Sequence, residues 1–498
     1  MTHGLINRHA LLSVAEMRAA DAAAIEGGIS GSELMERAGA AVAAAALDRW
    51  PGRPVLVLCG PGNNGGDGFV AARRLKEAGA SVHLALLGNR DKLTGDAADA
   101  ASRWKGSLSA LTPELLTGQD LVIDALFGAG LSRPLEGGAL AVVQAMAHRR
   151  IDSLAVDVPS GVDGDSGGVL GGAAPARLTV TFCRAKPGHY LLPGRTYCGE
   201  LLVADIGVAD SVVDRLAPRQ WLNGPWAWRF RPPQASEHKY DRGHVLLLGG
   251  SRMTGAARLA ARAARRAGAG MATLLAAEPA LAIYAGDQPG LIVAPVAELE
   301  RYLADRRITA VLLGPGAGPG AATKKQVLEV LGRHKPCVLD ADALSAFGGR
   351  PQDLFTAIAG PALMTPHEGE FARLFPGIAG HKLARARAAA TLGRCCLLLK
   401  GSDTVVASPD GRVLINANAP ASLATAGAGD VLAGIALACL GQGMDPLEAG
   451  GAAAWLHGAA AARFGHGLIA EDLPDMLPGV LTELWRDAKS KIGSASIS

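Results

Sequence analysis

A glycine-rich stretch, residues 59–75, reads CGPGNNGGDGFVAARRL and lies between an apolar run and a helical pattern. Its glycines have the spacing of a dinucleotide-binding loop: Gly60, Gly62 and Gly65. An ordinary nicotinamide cofactor is nevertheless disfavoured, because the next strand, SVHLALL, has no carboxylate at its tip to hold a ribose. The loop instead carries Asn63, Asn64 and Asp67, whose side-chain oxygens suit a hydroxylated ligand or a hard cation.

Polar side chains also follow two later apolar runs. Asp124 lies in LVIDALFGAGLSR, and Asp157 and Ser160 lie in LAVDVPSGVDGDSG. The carboxyl ends of parallel strands converge on one crevice, so Asn64, Asp124 and Ser160 could together bind a cation. Asp157 would then face the substrate as an acid or base. The alternative for each residue is a turn former or helix cap.

The second half contains SLATAGAGDVLAGIALACL, residues 422–440. Small residues that open directly onto a helix leave several backbone N–H groups aimed at one point, which predicts an anion hole. Asp430 at the helix start could be a base that activates a hydroxyl, or a carboxylate that merely stabilises the helix N-terminus. The sequence has no GxxxxGK[ST], which excludes a P-loop enzyme, and HEGE lacks the HExxH spacing of a zinc protease.

The elements around these residues predict an α/β protein with two doubly wound domains in tandem. Strands are predicted at 54–59, 81–87, 120–128, 153–159 and 178–183, and then at 244–250, 271–277, 308–316, 336–344, 362–368 and 395–401. Two helices broken at Gly27 and Gly28 precede the first strand. The pattern lapses at 222–237, which places the domains at 1–224 and 225–498.

Composition narrows the class of protein. The 498 residues are 49% hydrophobic and 19% charged, which favours well-buried cores. The net charge is only +3, which argues against nucleic-acid or membrane partners. The seven cysteines form no CxxC pair, so buried free thiols in a reducing compartment are expected. Without a membrane-length apolar stretch or a signal-peptide pattern, we expect a soluble cytoplasmic protein.

The motifs GNNGGDG, DALFGAGLSR and VDVPSGVDGDSG resemble the N-terminal YjeF-type domain, the NAD(P)H-hydrate epimerase family, over residues 10–220. The resemblance implies a Rossmann-like domain whose substrate is a nicotinamide cofactor hydrated at C6 of its ring. It implies substrate contacts at Asn63, Asn64, Gly65, Gly66, Asp67, Gly128, Ala129, Gly130, Leu131, Ser132, Arg133, Pro134 and Asp157. It also implies potassium ligands at Asn64, Asp124 and Ser160. Inversion of such a substrate requires proton transfers as a bond at C6 opens, and the Asp157 carboxylate could be the catalytic group that carries the proton. Lys186, in RAKPG, is a candidate second charge or a packing or surface lysine.

The motif GAGD resembles the signature of ribokinase-like kinases. With LLGPGAG, LDADAL, TPHEGEFARL and LLLKGSDTVV, it looks like ADP-dependent NAD(P)H-hydrate dehydratases over residues 240–485. The resemblance implies hydrate contacts at Ala256, Gly316, His367 and Asp430, with Asp430 the catalytic base. It implies adenine-nucleotide contacts at Lys400, Gly401, Ser402, Asp403, Thr404 and Gly429. Mg²⁺ should accompany ADP; Glu370 could organise it or be a first-turn helix carboxylate, and His367 could instead be a core histidine.

These resemblances predict a bifunctional cofactor-repair enzyme that interconverts R and S hydrates and dehydrates the S form with ADP, giving AMP and phosphate. The expected partners are hydrated NADH and NADPH, ADP and further copies of the chain. One alternative is a ribokinase-like kinase for a vitamin B6 or pyrimidine alcohol, which would release a stable phosphorylated product. In that case the N-terminal domain would be a nucleotide sensor, although a sensor has no need of paired carboxylates.

Overall fold

The computed structural model describes the backbone of residues 7–495 and the side chains of residues 7–486. The chain forms two compact units that divide between Gln220 and Trp221. The assignment of 1–224 and 225–498 to two separate activities stays a prediction. Across the described part of the chain, no helix combines the length and apolarity needed to cross a membrane.

The first unit is built on a seven-stranded parallel sheet with the order β3-β2-β1-β4-β5-β6-β7. Its strands are β1 (Val55–Cys59), β2 (Val82–Leu86), β3 (Leu108–Ala110), β4 (Leu121–Ala125), β5 (Asp152–Val156), β6 (Leu178–Phe182) and β7 (Glu200–Ala204). All residues of β1, β4 and β6 are buried, as expected for strands with both faces covered. The strand order reverses between β1 and β4, and ligands of such sheets bind at that crevice.

The helices of the first unit connect these strands and precede the first. They are α1 (Val14–Glu26), α2 (Gly31–Arg49), α3 (Asn63–Glu77), α4 (Gly95–Arg103), α5 (Gly137–Arg149), α6 (Gly194–Cys198) and α7 (Asp210–Leu216). The predicted break between the first two helices at Gly27 and Gly28 is confirmed. Helix α1 begins at a capping box in which Glu16 N donates to Ser13 Oγ (3.2 Å) and Ser13 N donates to Glu16 Oε2 (2.7 Å).

The second unit contains a ten-stranded sheet with the order β11-β10-β9-β12-β13-β14-β15-β16-β17-β8. Its strands are β8 (Gln220–Leu222), β9 (His244–Leu248), β10 (Met271–Ala276), β11 (Ile292–Pro295), β12 (Ile308–Leu313), β13 (Cys337–Leu339), β14 (Ala362–Met364), β15 (Cys396–Leu399), β16 (Val405–Ala407) and β17 (Val413–Ile415). The pairings from β11 to β15 are parallel. Strands β16 and β17 then add an antiparallel hairpin.

The helices of the second unit are α8 (Thr254–Arg266), α9 (Glu278–Ala285), α10 (Leu299–Ala304), α11 (Ala321–Gly332), α12 (Asp342–Ser345), α13 (Pro351–Ala357), α14 (Glu368–Leu374), α15 (Lys382–Gly393), α16 (Ala428–Gly441), α17 (Pro446–Phe464) and α18 (Leu473–Ala495). Helix α16 is buried almost throughout, which explains its nearly uninterrupted apolar sequence. The prediction of two α/β domains built on parallel sheets is confirmed. All seven cysteines are buried and free, as predicted.

Candidate active sites

The first unit contains a cavity of about 600 Å³ at the carboxyl ends of its central strands. The loop after β1, the turn after β4, Asp157 after β5 and Lys186 after β6 line one part of it. Helices α1 and α2 line the rest. Of the polar residues at strand ends that the sequence indicates, Asn64 and Asp157 line this cavity, whereas Asp124 and Ser160 are buried and absent from its lining.

Most of the predicted substrate contacts lie on this cavity. The lining includes Asn63, Asn64, Asp67, Gly128, Ala129, Gly130, Leu131, Ser132, Arg133 and Asp157. Gly65, Gly66 and Pro134 are absent from the lining. The two glycines instead permit close packing, since a Cβ on Gly65 would clash with the Gly60 carbonyl and one on Gly66 would lie 2.6 Å from Met35 Sδ.

The turn after β4 is held by three side chains from two other segments, the loop after β1 and the segment after β5. Phe127 N donates to Ser160 Oγ (2.9 Å), and Ala129 N donates to Asp157 Oδ2 (2.8 Å). Between them, Gly128 N donates to the Asn64 side-chain oxygen (3.2 Å) when that amide is oriented so that its nitrogen donates to the Val156 carbonyl. Three successive backbone N–H groups thus hold the turn against Asn64, Asp157 and Ser160, which the resemblance predicts as substrate contacts or potassium ligands.

Asp124 is a buried carboxylate whose only described partners are uncharged. It is 2% exposed and accepts hydrogen bonds from Ser160 Oγ (2.6 Å), Ser160 N (2.9 Å) and Leu126 N (3.2 Å). Burial raises its pKa, and the hydrogen bonds from Ser160 and Leu126 oppose that rise. Among the described residues, no basic side chain forms an ion pair with it. The deficit of positive charge at this oxygen-rich point fits a monovalent cation.

Asp157 and Lys186 form an ion pair inside the cavity. Lys186 Nζ lies 2.7 Å from Asp157 Oδ1 and also donates to Thr181 Oγ1 (2.8 Å), which in turn donates to Asp157 Oδ1 (3.0 Å). Burial alone would raise the pKa of Asp157, but Lys186 and the Ala129 N–H outweigh it and lower that pKa to about 2. Asp157 is therefore ionised at neutral pH, in the form that accepts a proton. Lys186 is 2% exposed, so it is a charge of the site and not a surface lysine.

Two acidic groups with raised pKa values complete the cavity. Burial raises the pKa of Asp67 well above its ordinary value, and the charges of Asp157 and Asp21 add to the shift. Asp21, on α1, also lines the cavity, although the sequence analysis did not single it out. No local signal distinguishes its carboxylate from others on an amphipathic helix, because only the packing of α1 over the sheet brings it to the site.

In the second unit, the GAGD segment forms the start of helix α16. Gly427 caps the helix in the left-handed conformation (φ +85°), and a side chain there would meet Leu259 at 2.8 Å. Asp430 lies in the first turn, half-buried. Burial, together with the carboxylates of Asp340 and Asp342, raises its pKa to about 6, while the charge of Lys400 opposes the rise. This carboxylate is tuned to accept a proton near neutrality.

Lys400, in LLLKGSDTVV, lies close to residues of three other motifs: LDADAL, TPHEGEFARL and GAGD. Its Nζ lies 2.8 Å from Asp340 Oδ1, 3.8 Å from Glu370 Oε2 and 3.5 Å from the position that a Cβ on Gly429 would take. Its own pKa is raised: burial lowers it, but the Asp340 and Glu370 charges outweigh burial. Asp340, which is 1% exposed, belongs to the LDADAL motif but was not named as a site residue.

Ala256 and Gly316, predicted to contact the hydrate, do lie together. The position of a Cβ on Gly316 is 3.3 Å from Ala256 Cβ, and the backbone there has φ +69°. A Cβ on Gly250 would clash with the Gly316 carbonyl, so two glycine loops cross at this point. Gly318 N donates to Asp342 Oδ2 (2.8 Å), which ties the same loop to the segment beside Asp430.

His367 occupies the N-cap of helix α14. Its Nδ1 accepts from Gly369 N (2.9 Å) and Glu370 N (3.3 Å), while Glu370 Oε2 accepts from His367 N (2.9 Å). The histidine is exposed, so it is not a core residue. Glu370 is 5% exposed and already engaged by His367 and Lys400, as a helix-capping carboxylate would be.

The predicted nucleotide segment forms a closed turn. Thr404 Oγ1 donates to the Gly401 carbonyl (2.7 Å) and accepts from Gly401 N (3.2 Å). Asp403 Oδ1 pairs with Lys382 Nζ at 2.6 Å. The segment from Lys400 to Thr404 is thereby fixed, and from it the Lys400 side chain reaches the start of α16, where Nζ lies 3.5 Å from the position of a Cβ on Gly429.

Comparison with known proteins extends over nearly the whole chain. Residues 31–188 match the family described as YjeF-related protein N-terminus, and residues 245–479 match the family described as NAD(P)H-hydrate dehydratase. The bifunctional NAD(P)H-hydrate repair enzyme Nnr of Salinibacter ruber is 37% identical, over 96% of this chain and 97% of that protein. The chain belongs to the bifunctional NAD(P)H-hydrate repair enzyme family.

Other members of the family are similarly close. The bifunctional NAD(P)H-hydrate repair enzyme Nnr of Escherichia coli is 34% identical over 90% of this chain and 88% of its own. Among solved structures, the ADP/ATP-dependent NAD(P)H-hydrate dehydratase from Bacillus subtilis, co-crystallised with ATP and Mg²⁺, is 30% identical, with a TM-score of 0.46, over 52% of this chain and 95% of that one. The two family matches contain Asp157 and Asp430 respectively.

Proposed function

We propose that this protein repairs hydrated NADH and NADPH, with an epimerase site in the first unit and an ADP-dependent dehydratase site in the second. The observation that carries the proposal is the match to bifunctional repair enzymes over nearly the whole chain, with each unit holding its own set of motif residues. The pairing is chemically coherent, because a dehydratase that accepts one epimer needs a second site to convert the other.

In the epimerase site, the Asp157 carboxylate is the proposed proton acceptor. Inversion at C6 requires proton transfers while a bond from C6 to oxygen or nitrogen opens. Lys186 keeps Asp157 charged, and the hydrogen bond from Ala129 N fixes the direction of its Oδ2. The turn Gly128–Pro134 and the loop Asn63–Asp67 are the proposed contacts of the hydrated nicotinamide nucleotide.

Potassium is the proposed cation of the first site, with Asn64, Asp124 and Ser160 as its ligands. The fit rests on the buried Asp124 carboxylate, which lacks a basic partner among the described residues, and on its two hydrogen bonds with Ser160. A bound cation would supply positive charge under the turn after β4. Ser160 and Asn64 already fix that turn through Phe127 and Gly128, so the same residues would couple the cation to the cavity.

In the dehydratase site, Asp430 is the proposed base. It accepts the proton of the C6 hydroxyl while that oxygen attacks the terminal phosphorus of ADP, and the bond to the AMP oxygen breaks. Phosphate then leaves C6 with the bonding electron pair and a proton is lost from C5, which re-forms the dihydronicotinamide ring. The backbone N–H groups at the start of α16 lie where they can stabilise phosphoryl oxygens.

Mg²⁺ is proposed to enter this site with ADP. Within the part of the chain that the structure describes, no group of three or more His, Cys, Asp or Glu side chains could hold a metal ion by itself. That suits an ion held largely by substrate phosphates and one or two carboxylates, where it neutralises phosphoryl charge. Asp430 is the proposed nearby carboxylate without a described hydrogen bond, whereas Asp340 and Glu370 pair with Lys400 and Asp342 accepts from Gly318 N.

The test follows absorbance at the dihydronicotinamide band after the protein is mixed with both epimers, Mg²⁺ and ADP or ATP. Full recovery with ADP, falling to one epimer in Asp157→Asn and to nothing in Asp430→Asn, supports both sites. Recovery that stops at one epimer in the unaltered protein contradicts the epimerase assignment. A stable phosphorylated product without absorbance recovery would favour a ribokinase-like kinase.

A further inference from the structure

Helix α1 forms a wall of the epimerase cavity with one of its faces. Val14, Met17, Arg18, Asp21 and Ile25 line the cavity, and their spacing places them on one side of the helix. The cavity is therefore enclosed in part by a helix that lies outside the glycine-rich loop, the turn after β4 and the Asp157 segment. Among these five residues, only Asp21 can exchange a proton near neutral pH.

The Asp21 carboxyl has no described partner of its own. Across the described side chains, it makes no hydrogen bond and no ion pair, although it is half-buried. The charged groups that face it come from three other segments: Asp67 of α3, Asp157 after β5 and Lys186 after β6. Cys183, also after β6, is a neutral thiol nearby. A carboxyl that faces a cavity without satisfying any protein group is available to a substrate.

The charge state of Asp21 complements that of Asp157. Burial raises the pKa of Asp21 to about 6, Lys186 opposes the rise, and Asp157 adds to it. Asp157, with its pKa lowered to about 2, stays ionised. Two carboxyl groups on one cavity whose pKa values are driven apart in this way are suited to act as acid and base.

We propose that Asp21 is the catalytic acid of the epimerase site and works with the Asp157 carboxylate as the base. This rests on the epimerase function proposed above. The reaction suits two groups, because C6 carries a hydroxyl whose proton must leave while the ring nitrogen bonded to it gains one. Asp157 starts ionised and has no proton to give to N1 until it has taken the hydroxyl proton, whereas Asp21 faces the same cavity and can supply one at once.

The step balances without an external reagent. The Asp157 carboxylate takes the hydroxyl proton, the C6–O bond becomes a carbonyl, and the C6–N1 bond breaks with its electron pair moving to N1. Asp21 protonates N1 as the ring opens. Rotation about the C5–C6 bond presents the other face of the carbonyl, and N1 attacks it as it returns its proton to Asp21. The new hydroxyl oxygen recovers the proton held by Asp157, so both groups end as they began.

The experiment measures conversion of purified R hydrate into S hydrate by the full-length protein without ADP, with the epimers separated by chromatography. Asp21→Asn keeps the shape of the side chain and should lower the rate about 100-fold or more, the usual contribution of a general acid. Asp21→Glu should restore part of it. Glu26→Gln, a charge removal at the exposed end of the same helix and outside the cavity lining, is the matched control and should leave the rate unchanged.

The pH profile separates a catalytic role from a structural one. In the unaltered protein the rate of R-to-S conversion should fall as pH rises above about 6, because Asp21 loses its proton. In Asp21→Asn this decline, the alkaline limb of the pH profile, should be absent. Dehydration of S hydrate with ADP in the same variant reports that the second unit is folded, and the partial rate restored in Asp21→Glu reports that the first unit tolerates a change at this position. An Asp21→Asn variant with the full rate and the full limb would overturn the proposal, as would transfer of both effects to Asp67→Asn.

The same experiment distinguishes failure of the proposed epimerase function from failure of the proposal for Asp21. If the unaltered protein does not convert R into S hydrate at all, the epimerase assignment itself is wrong, whatever Asp21 does. If it converts the hydrates and only Asp157→Asn is impaired, the epimerase stands and the assignment of Asp21 falls.

Discussion

The Nζ atom of Lys186 lies 2.7 Å from Oδ1 of Asp157, and this ion pair is almost completely removed from water, with the two side chains 3% and 18% exposed. Lys186 follows β6 and Asp157 follows β5, so the pair connects two neighbouring strand ends. Asp157 adopts a left-handed backbone (φ +67°), which is unusual for a residue other than glycine. The strand end is thus shaped to aim one carboxylate, and the lysine determines its charge.

Removing the lysine should affect both stability and the epimerase. Lys186→Met leaves a buried carboxylate without its cation, which is expected to lower the free energy of unfolding by about 3–5 kcal/mol. The pKa of Asp157 should rise, because the principal group that lowers it is gone. Denaturant unfolding measures the first effect and R-to-S conversion against pH the second.

The double variant Lys186→Met with Asp157→Asn is the control for this prediction. It should recover much of the stability, since no buried charge remains, while epimerase activity stays low. A Lys186→Met protein with unchanged stability and an unchanged pH profile would show that the ion pair has neither role.

The turn after β4 predicts a second variant, Gly128→Ala. A Cβ at Gly128 would lie 2.8 Å from a terminal atom of the Asn64 amide and 2.8 Å from Asp157 Oδ2, so the turn or those two side chains must move. Displacements of about 1 Å at a reacting centre can lower a rate about 100-fold, and we expect a loss of that order in R-to-S conversion. Gly138→Ala is the matched control, because its Cβ would meet only the Leu111 carbonyl, at 3.9 Å. Equal rates in the two variants would contradict the packing argument.

The fold could be predicted where strands are buried on both faces. The stretches at 54–59, 120–128 and 178–183 are mostly apolar, and the structure contains strands within all of them. Strand β7, ELLVA, was missed although it is a short apolar run, and it is largely exposed at the sheet edge. The β16–β17 hairpin was missed although Asp410–Gly411, between two short apolar runs, is a typical hairpin turn.

Site residues at strand ends could be predicted from the sequence, because the order of the strands determines where those ends lie. Asp124 lies near the end of β4, and Asp157 and Ser160 follow β5, so the pairing of these two neighbouring strands brings them together. Asp21 gave no such signal, because its position depends on how helix α1 packs over the sheet. The lowered pKa of Asp157 likewise depends on Lys186, which is distant in sequence and was only a candidate charge.

Potassium should stabilise the first unit measurably. If the ion occupies the point between Asn64, Asp124 and Ser160, the unfolding temperature of the intact protein should rise with K⁺ at constant ionic strength, against choline as the inert cation. Asp124→Asn should remove that dependence, because the amide lacks the charge that holds the ion. Calorimetry reports this without any substrate. A K⁺ response that persists in Asp124→Asn would place the ion elsewhere.

The second site predicts a pH limb of opposite direction to that of Asp21. Asp430 acts as a base, so dehydration of S hydrate should decline as pH falls below about 6, where its carboxylate becomes protonated. Asp430→Asn should lower the rate about 100-fold to 10,000-fold, the range typical of a lost general base. Conversion of R into S hydrate by the same variant is the internal control and should persist.

Lys400 influences the pH below which the dehydration rate declines. Its charge opposes the rise in the pKa of Asp430, so Lys400→Met should shift the acid limb of dehydration to higher pH. The variant also leaves Asp340 and Glu370 without their shared cation, so it should be less stable. Lys382→Met is the matched control, because it removes a buried lysine from the neighbouring Asp403 and no effect of its charge on Asp430 is resolved. We expect lower stability in both variants, but a change in the pH at which dehydration declines only in Lys400→Met. The same change in both variants would mean that Lys400 acts through the stability of the fold and not through its charge.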